Sequence, residues 1–577
     1  MAYLGYICLF YIQHSLPTST RSIKTGTIPT GVLFGLLWSL LFILYFPAAK
    51  AGFVADFTGW LDQVRHHSFS EFINRTHFQA RSMYQFTQFN TWVFYKLLGV
   101  NEWLWHILFI TLHAVNATML YTLCRRLLAD VGVSKSDVIA AWGVALFCVS
   151  PYISEVVVWE PSFHFLQGLL LILAILLCAQ QYIYTGRSKY AVGAVVIYFL
   201  SLFSLEIFYI TPLLVLTIGL FYRYGTDADK KRCSSIITRF FLPMLLLLLL
   251  RFVGYRIYSG DWVSRIGSSA VGMVSWQSFS KPIKYVFHLL FVGRFFSDDA
   301  RQRIYDTCES IPCMVLFYGY AIAIFVLIIK RFRTMSGKAK VVSLLFVWMF
   351  IALMLLVPLW FAADMLVLYD RYTYFAGAFF YMLFAILASF IAIRYVGMAV
   401  VLLFGLINLR FAIKVSRYWG KSAHVVYGLL HNIPDARNKT MILLNLPQSM
   451  HGVAMIGAEK NSEYKLMHDL MIPSKPLTNT VYDALAYNML TPTDGAHVNV
   501  INDSTIKVTL NQYATWWWFE TRGANSYWTS DYKLDLKDPG HWYELTLRKP
   551  ADQYLLLYSV GDQWKVVDMG NRNNDQN

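Results

Sequence analysis

Residues 101–128 read NEWLWHILFITLHAVNATMLYTLCRRLL, a mostly apolar run that ends in the paired Arg125 and Arg126. An apolar run of about 20 residues is the length that crosses a bilayer as a helix. A basic pair directly after such a run is typical of its cytoplasmic end. The stretch therefore predicts a membrane-spanning helix that ends at the cytoplasmic face.

Similar apolar runs recur along the first three quarters of the chain. We predict eleven spanning helices, one of them within the stretch quoted above, at 31–48, 102–124, 137–151, 165–184, 190–205, 207–223, 238–257, 312–330, 341–361, 373–393 and 397–414. The fold class predicted for this part is an all-α membrane bundle.

The overall composition supports the same class. Hydrophobic residues make up 57% of the 577 residues and charged residues 14%, against about 25% charged residues in a soluble protein. This composition excludes a soluble enzyme and a disordered chain. The net charge of +15 is assigned to cytoplasmic loops and not to nucleic-acid binding. The scattered cysteines form no zinc-binding pattern.

Basic clusters set the expected orientation. They follow alternate predicted spans, ending with the cluster at 330–340, so a cytoplasmic N-terminus places all of them on one side. Residues 281–296 are apolar but carry Lys284, His288 and Arg294, and counting them as a span would move the 330–340 cluster to the other side. We therefore interpret 281–296 as an interfacial helix. Eleven spans then leave the C-terminus outside the cytoplasm, in a multi-pass protein of the inner (cytoplasmic) membrane.

The composition changes after the last span, which predicts two domains, a membrane domain at 1–430 and an extracytoplasmic β-rich domain at 431–577. Alternating segments indicate antiparallel, sandwich-like strands at 504–510, 513–519, 531–536, 542–548, 554–560 and 563–568. Residues 441–490 have a mixed α/β pattern. We expect this domain to be soluble and to bind an acceptor or a protein partner.

Ionisable residues at membrane depth are costly and are functional candidates by default. On the predicted topology, one external face collects such residues from distant parts of the chain: Asp56, Asp62, Glu155, Glu206, Arg251, Asp370 and Arg371. Glu160 competes with Glu155 for the same role, and His164 follows closely. A transporter would more naturally place its charged groups near the midplane, on broken helices.

The same stretches resemble a known family, the bacterial GT-C glycosyltransferases, and within it the protein O-mannosyltransferase-like and tetratricopeptide-linked O-mannosyltransferases. Residues 101–128 resemble the family's second span. Residues 150–155 (SPYISE) resemble its "HP…EAV" turn with Ser150 in place of His. Ser204-Leu205-Glu206 resembles "SKE", and 370–377 (DRYTYFAG) resembles "DRYTYLPSIG". The resemblance covers roughly residues 30–415.

The resemblance implies an inverting enzyme that moves a sugar from a polyprenyl-phosphate carrier to an acceptor hydroxyl on the non-cytoplasmic face. It implies Asp56 as the general base on the acceptor. Arg251 and Arg371 are candidates to stabilise the leaving phosphate. Glu155, Glu206, Asp370, Tyr372 and His164 are candidates to orient the arginines or bind the sugar. No metal ligand set is predicted, no cofactor is certain, and a divalent metal stays open; a glycan, a lipid or a protein stays open as acceptor.

Other interpretations stay open at this level. Asp56 fits an ordinary loop acid, Glu206 with Arg251 fits a structural ion pair, and Asp370-Arg371 fits a helix terminus with an interfacial anchor. A lipid or glycan transporter and a non-catalytic scaffold that presents the β-rich domain are the main alternatives, and a membrane acyltransferase is a weaker one. Cys308 and Cys313 fit a disulfide in an external loop.

Overall fold

The computed structural model describes residues 28–51, 53–54, 57–74, 85–204, 206–260, 262, 275–358, 370–436, 438–456, 462–510, 515–517, 526–538 and 541–570. Within them, nineteen α-helices of four or more residues are present: α1 Thr30–Tyr45, α2 Phe57–His66, α3 Phe69–Asn74, α4 Gln85–Leu98, α5 Glu102–Asp130, α6 Ser136–Cys148, α7 Ser154–Val158, α8 Phe163–Thr185, α9 Ser188–Ser201, α10 Thr211–Gly225, α11 Lys230–Ile236, α12 Leu242–Ser259, α13 Lys281–Phe291, α14 Asp298–Glu309, α15 Ile311–Arg331, α16 Gly337–Met354, α17 Tyr374–Ala388, α18 Arg394–His431 and α19 Glu463–Met471.

The predicted multi-pass helical architecture is confirmed. In the described part of the chain, nine helical segments are long and apolar enough to cross a membrane, and α6 with the segment Pro151–Val158 forms a tenth that is bent by 58°. The remaining predicted span corresponds to the shorter apolar helix α9. By contrast, α13 has eleven residues, about 16 Å of helix, which is too short to cross the hydrocarbon core.

The basic clusters meet at one end of the bundle, which we call the basic end. There, Lys340 donates to the Gly225 carbonyl at 3.2 Å and Lys338 donates to the Ser389 carbonyl at 2.7 Å. Asp130 accepts a 2.6 Å hydrogen bond from Tyr222. Since α6 leaves this end and α17 returns to it, the turns that precede α7 and α17 lie at the opposite end of the bundle.

The last membrane helix, α18, is 38 residues long, or about 57 Å. This is roughly twice the thickness of the hydrocarbon core, so the helix extends well beyond it. Its second half remains amphipathic, with Val415, Trp419 and Val425 buried while Arg417 and Lys421 are exposed. The prediction that this span ends at residue 414 was therefore too short.

The strands follow α18: β1 Thr440–Leu443, β2 Leu446–Met450, β3 Val453–Ala454, β4 Val481–Asp483, β5 Ala486–Met489, β6 Ala496–Asn502, β7 Thr505–Leu510, β8 Thr515–Trp517, β9 Ser526–Trp528, β10 Tyr532–Asp538, β11 Trp542–Leu547, β12 Tyr554–Val560 and β13 Gln563–Val566. They confirm the predicted β-rich C-terminal part, which we call the β-rich region.

The strands form three sheets, ordered β13-β12-β1-β4, β6-β7-β11-β10-β9 and β3-β2-β5-β8. The five-stranded sheet is antiparallel throughout. The predicted antiparallel pairing was wrong for β12, which pairs in parallel with β1. The other parallel pairs, β1 with β4 and β2 with β5, lie in the stretch for which a mixed α/β pattern was predicted. The strand β1 is apolar and almost wholly buried, as in parallel sheets covered on both faces.

The β-rich region covers the end of α18. The Leu429 carbonyl belongs to the last turn of this helix, where carbonyls lack partners within the helix. Tyr464 Oη and Trp564 Nε1 both donate to it at 2.7 Å. One residue before Leu429, Gly428 lies so close to the β12–β13 turn that an added Cβ would approach the Asp562 Cβ to 2.6 Å. These contacts fix the β-rich region against the bundle at the end opposite the basic end.

Candidate functional site

Two neighbouring residues, Asp370 and Arg371, organise the candidate site. They open the short 3₁₀ turn Asp370–Thr373 that leads into α17, and Thr373 Oγ1 closes the turn by donating to the Asp370 carbonyl at 2.7 Å. Because adjacent side chains on such a turn point in different directions, each residue has its own partner of opposite charge.

Arg371 is paired with Glu155. The Arg371 guanidinium binds Glu155 Oε1, and the Arg371 backbone N–H donates to Glu155 Oε2 at 2.8 Å, so both carboxylate oxygens are held. Glu155 is buried in α7, directly after the bend at Ser150. The Arg371 guanidinium also lies over the Trp159 ring, 4.9 Å from its centroid, which adds a cation–π contact.

Asp370 is paired with Arg294, and both side chains are buried. The other arm of the Arg294 guanidinium donates to the His451 carbonyl at 2.7 Å, at the turn between β2 and β3. Burial lowers the pKa of Arg294 more than the nearby Glu155 carboxylate raises it, and the resulting pKa of about 10 leaves the guanidinium charged at neutral pH. Arg294 entered the sequence-based predictions only as a reason to exclude a span at 281–296, and it was not among the predicted site residues. The feature that could have identified it as a site residue is the presence of an arginine inside an apolar stretch.

The chain between α1 and α2 lies near the same site. Trp159 Nε1 donates to the Val54 carbonyl at 3.1 Å, so the chain just before Asp56 lies beside the aromatic ring that supports Arg371. After it, α2 packs on α19, where Thr58 Oγ1 donates to Glu463 Oε1 at 3.2 Å. Asp56 itself lies outside the described residues. Asp62 is described, and it pairs with His66 at 3.0 Å.

Tyr372 and His164 lie around the Glu155–Arg371 pair. The Tyr372 ring meets Phe165 edge to face at 5.7 Å, and Phe165 follows His164 on α8. His164 lies near Arg371. Tyr285 on α13, which the sequence analysis did not single out, is buried near both members of the pair. Burial raises the pKa of its phenol, which therefore remains a hydrogen-bond donor.

Glu206 and Arg251 belong to a neighbouring group. Arg251 Nε donates to the Leu202 carbonyl at 3.2 Å, and its guanidinium lies over the Tyr255 ring at 5.3 Å. Glu206 and Arg251 both lie near Tyr209. Gln167 on α8 connects this group to the helix that carries His164, because its side chain donates to Ser204 Oγ at 3.1 Å.

Glu160, the alternative candidate to Glu155, has a different environment. It is buried, and its Oε2 has no hydrogen-bond partner among the described residues. Of the two acids, Glu155 is therefore the one that binds an arginine. Within the described part of the chain, no three His, Cys, Asp or Glu side chains are grouped closely enough to hold a metal ion. Cys308 and Cys313 are free thiols in this structure.

The site thus holds two acid–arginine pairs beside the junction with the β-rich region. A guanidinium is planar and offers five N–H donors, so it can hold a carboxylate with one edge and a phosphate with another. Arginines fixed by buried carboxylates in a low-dielectric site are suited to stabilise negative charge that develops on a leaving group.

Comparisons with known proteins leave the family open. No family model matches the chain, and no curated protein matches its sequence. Among solved structures, the chain is similar to the crystal structure of the Archaeoglobus fulgidus oligosaccharyltransferase in its apo form, with 14% sequence identity and a TM-score of 0.38. The similarity covers 73% of this chain and 59% of that one. At this distance it assigns neither a family nor a function.

The fold and the site define a class of protein all the same. The chain is a multi-pass α-helical membrane protein with two acid–arginine pairs at one end of the bundle, and the β2–β3 turn of its β-rich C-terminal region contacts one of these pairs.

Proposed function

We propose that this protein is an integral membrane glycosyltransferase of the GT-C type, of the O-mannosyltransferase-like branch. It moves a sugar from a polyprenyl-phosphate carrier to an acceptor hydroxyl. The reaction takes place at the end of the bundle opposite the basic end, on the non-cytoplasmic face of the inner membrane. The carrier phosphate is the leaving group, and the sugar is inverted.

The observation that carries this proposal is the pairing of Arg371 with Glu155 and of Arg294 with Asp370. Both arginines are fixed by carboxylates, and both come from stretches far apart in sequence. A leaving phosphate gains negative charge as the glycosidic bond breaks, and cations that are already positioned stabilise that charge without reorganising. Charge pairs gathered at one end of the bundle suit a substrate anchored in the membrane better than cargo that crosses the midplane.

Asp56 is proposed as the general base that takes the proton of the acceptor hydroxyl. The contact between Trp159 and the Val54 carbonyl supports this role, because it brings the chain next to Asp56 close to the arginine pairs. His164, Tyr372, Glu206 and Arg251 are proposed to bind the donor. The domain at 431–577 is proposed to be extracytoplasmic and to position the acceptor or a partner.

The experiment compares the lipid-linked sugars of a deletion strain with those of the same strain expressing the wild type or the Glu155→Gln variant. We expect one polyprenyl-phosphate sugar to accumulate in the deletion strain and in the variant, because the variant can no longer fix Arg371. Asp62→Asn, in the first external segment but paired with exposed His66, is the matched control and should restore the wild-type pattern.

A transporter gives a different outcome. In sealed vesicles that contain the purified chain, a transporter moves a lipid-linked sugar across the bilayer without breaking the sugar–phosphate bond. Movement of the intact lipid, with no free carrier produced, would contradict the proposed enzyme and support a transporter. If no polyprenyl-phosphate sugar accumulates in the deletion strain, the proposed donor is contradicted.

A further inference from the structure

One face of α18 carries four exposed cations in a row: Arg410, Lys414, Arg417 and Lys421. Their spacing of four, three and four residues places them on the same side of the helix. They line an open groove with a volume of about 570 Å³, whose described lining residues all belong to α18. Leu406 before the row and Ile413 within it add apolar surface to the groove. No carboxylate among the described residues forms an ion pair with any of the four.

The position of this row along the helix is unusual for a membrane protein. The helix starts next to Ser389, whose carbonyl binds Lys338 at the basic end. Arg410 lies 16 residues further on, about 24 Å along the axis, and Lys421 about 16 Å beyond it. The row therefore covers the far interface of the bilayer. Basic residues are expected at the cytoplasmic interface, so topology alone does not account for four of them here.

The groove is continuous with the candidate site. Phe411 stacks on Phe295 at 4.1 Å, and Phe295 directly follows Arg294. Lys414 Nζ lies 5.3 Å from the centre of the Phe295 ring. On the other side, Tyr418 stacks at 4.3 Å on His451, whose carbonyl binds Arg294. A ligand in the groove would thus be separated from the Arg294–Asp370 pair only by Phe295 on one side and His451 on the other.

We infer that the α18 groove binds the phosphate end of a polyprenyl phosphate, with the prenyl chain lying along Leu406 and Ile413. The four cations face the phosphate, and the apolar half of α18 faces the chain. A phosphate monoester carries a charge between −1 and −2 at neutral pH, and four unpaired cations complement it better than a single diester charge. This inference rests on the proposed function, since it gives the released carrier a place beside the site.

The test measures binding of undecaprenyl phosphate to the full-length chain in phosphatidylcholine nanodiscs, by native mass spectrometry. The variant is the triple substitution Arg410→Gln, Lys414→Gln and Arg417→Gln. The matched control is Lys330→Gln, Arg331→Gln and Arg333→Gln, which removes the same charge at the basic end. A cation near a membrane surface contributes about a fivefold change in anion affinity, so we expect the variant to bind roughly 100-fold more weakly.

The control should bind as the wild type does, and undecaprenol, which lacks the phosphate, should not compete. Equal competition by phosphatidylglycerol would overturn the inference in favour of a general anionic-lipid belt. Wild-type affinity in the triple variant, or an equal loss in the control, would also overturn it. If the triple variant does not fold, Arg410→Gln and Lys421→Gln should each weaken binding by roughly fivefold, and unchanged affinity in both would contradict the inference.

Failure of this inference is distinguishable from failure of the proposed function, because binding is measured without sugar transfer. Asp56→Asn in the same nanodiscs should bind the carrier normally while transferring no sugar. Carrier binding without transfer by the wild-type chain would contradict the proposed enzyme and leave the groove in place. Sugar transfer by the wild-type chain, together with unchanged carrier affinity in the triple variant, would contradict the groove alone.

Discussion

Arg294 and Asp370 form a buried ion pair, and the same guanidinium binds the His451 carbonyl of the β-rich region. One arginine thus connects the end of α13, the start of α17 and the turn between β2 and β3. Arg371, the neighbour of Asp370, is fixed by Glu155 from α7. Four separate parts of the chain therefore meet at the two residues Asp370 and Arg371.

Removing one member of the buried pair should destabilise the protein strongly. We expect Arg294→Met to lower the free energy of unfolding by about 3–5 kcal/mol, because Asp370 is then buried without its partner. The double variant Arg294→Met with Asp370→Leu should recover part of that loss. Thermal unfolding of the full chain in detergent measures both. Lys533→Met, which breaks an exposed pair with Asp535, should cost at most about 1 kcal/mol. Equal effects for Arg294→Met and Lys533→Met would contradict the account.

Gly428→Ala tests how the β-rich region docks on α18. Alanine favours a helix over glycine by about 1 kcal/mol, yet its Cβ would lie 2.6 Å from the Asp562 Cβ and 2.7 Å from the Asp562 carbonyl oxygen. We expect a net destabilisation of about 1–3 kcal/mol and faster proteolysis near residue 437. Gly254→Ala is the control, since its Cβ would meet nothing within 4 Å. A more stable Gly428→Ala protein would show that the docking is looser than described.

Arg371→Lys tests whether the shape of the cation matters for transfer. Lysine keeps the charge but cannot bind Glu155 with the geometry of a guanidinium or stack as well on Trp159. We expect the rate of sugar transfer from purified lipid-linked donor to fall by about 100-fold, with carrier binding little changed. Arg256→Lys, which also alters an arginine that lies over a tryptophan, Trp262, should keep the wild-type rate. Full activity of Arg371→Lys would exclude Arg371 from charge stabilisation.

Acid should weaken the β-rich region through Asp531. Burial raises the pKa of this carboxyl, but hydrogen bonds from Lys549, Ser530, Tyr482 and Tyr554 outweigh burial and lower the pKa to about 2. A lowered folded-state pKa stabilises the protein above about pH 4, and this stabilisation is lost as the pH falls toward 2.

The Asp531→Asn variant gives the matching measurement. It should lose about 1 kcal/mol at pH 7 and should lack the step between about pH 4 and pH 2. Pepsin cleavage of the full chain over that range, relative to the denatured chain at each pH, reports the difference. A step of the same size in the variant would assign the acid sensitivity to other groups.

Much of the fold could be predicted from hydropathy and alternation alone. Apolar runs such as 102–124 form helices in the membrane because unpaired backbone groups are costly there. Alternating strands such as β7 and β11 show the predicted inside–outside pattern, with buried and partly exposed residues alternating along each strand. The parallel strand β1 was not predicted as a strand, because it is buried on both faces and its residues do not alternate between apolar and polar.

The candidate site could be predicted only in part. The sequence identified Glu155, Asp370 and Arg371 through their cost at membrane depth, but it could not assign their partners. Arg294 lies 76 residues before Asp370, and their contact depends on how α13 folds against the start of α17. Pairing over such distances is a property of packing, which local residue patterns do not encode.

The most direct test of the proposed enzyme is the cellular glycan and glycoprotein profile of Asp56→Asn beside the wild type, at matched protein levels, with Asp62→Asn as the control. We predict that Asp56→Asn loses one sugar decoration, as the deletion strain does, while Asp62→Asn keeps it. A profile in which Asp56→Asn matches the wild type while the deletion strain is altered would contradict catalysis at this site.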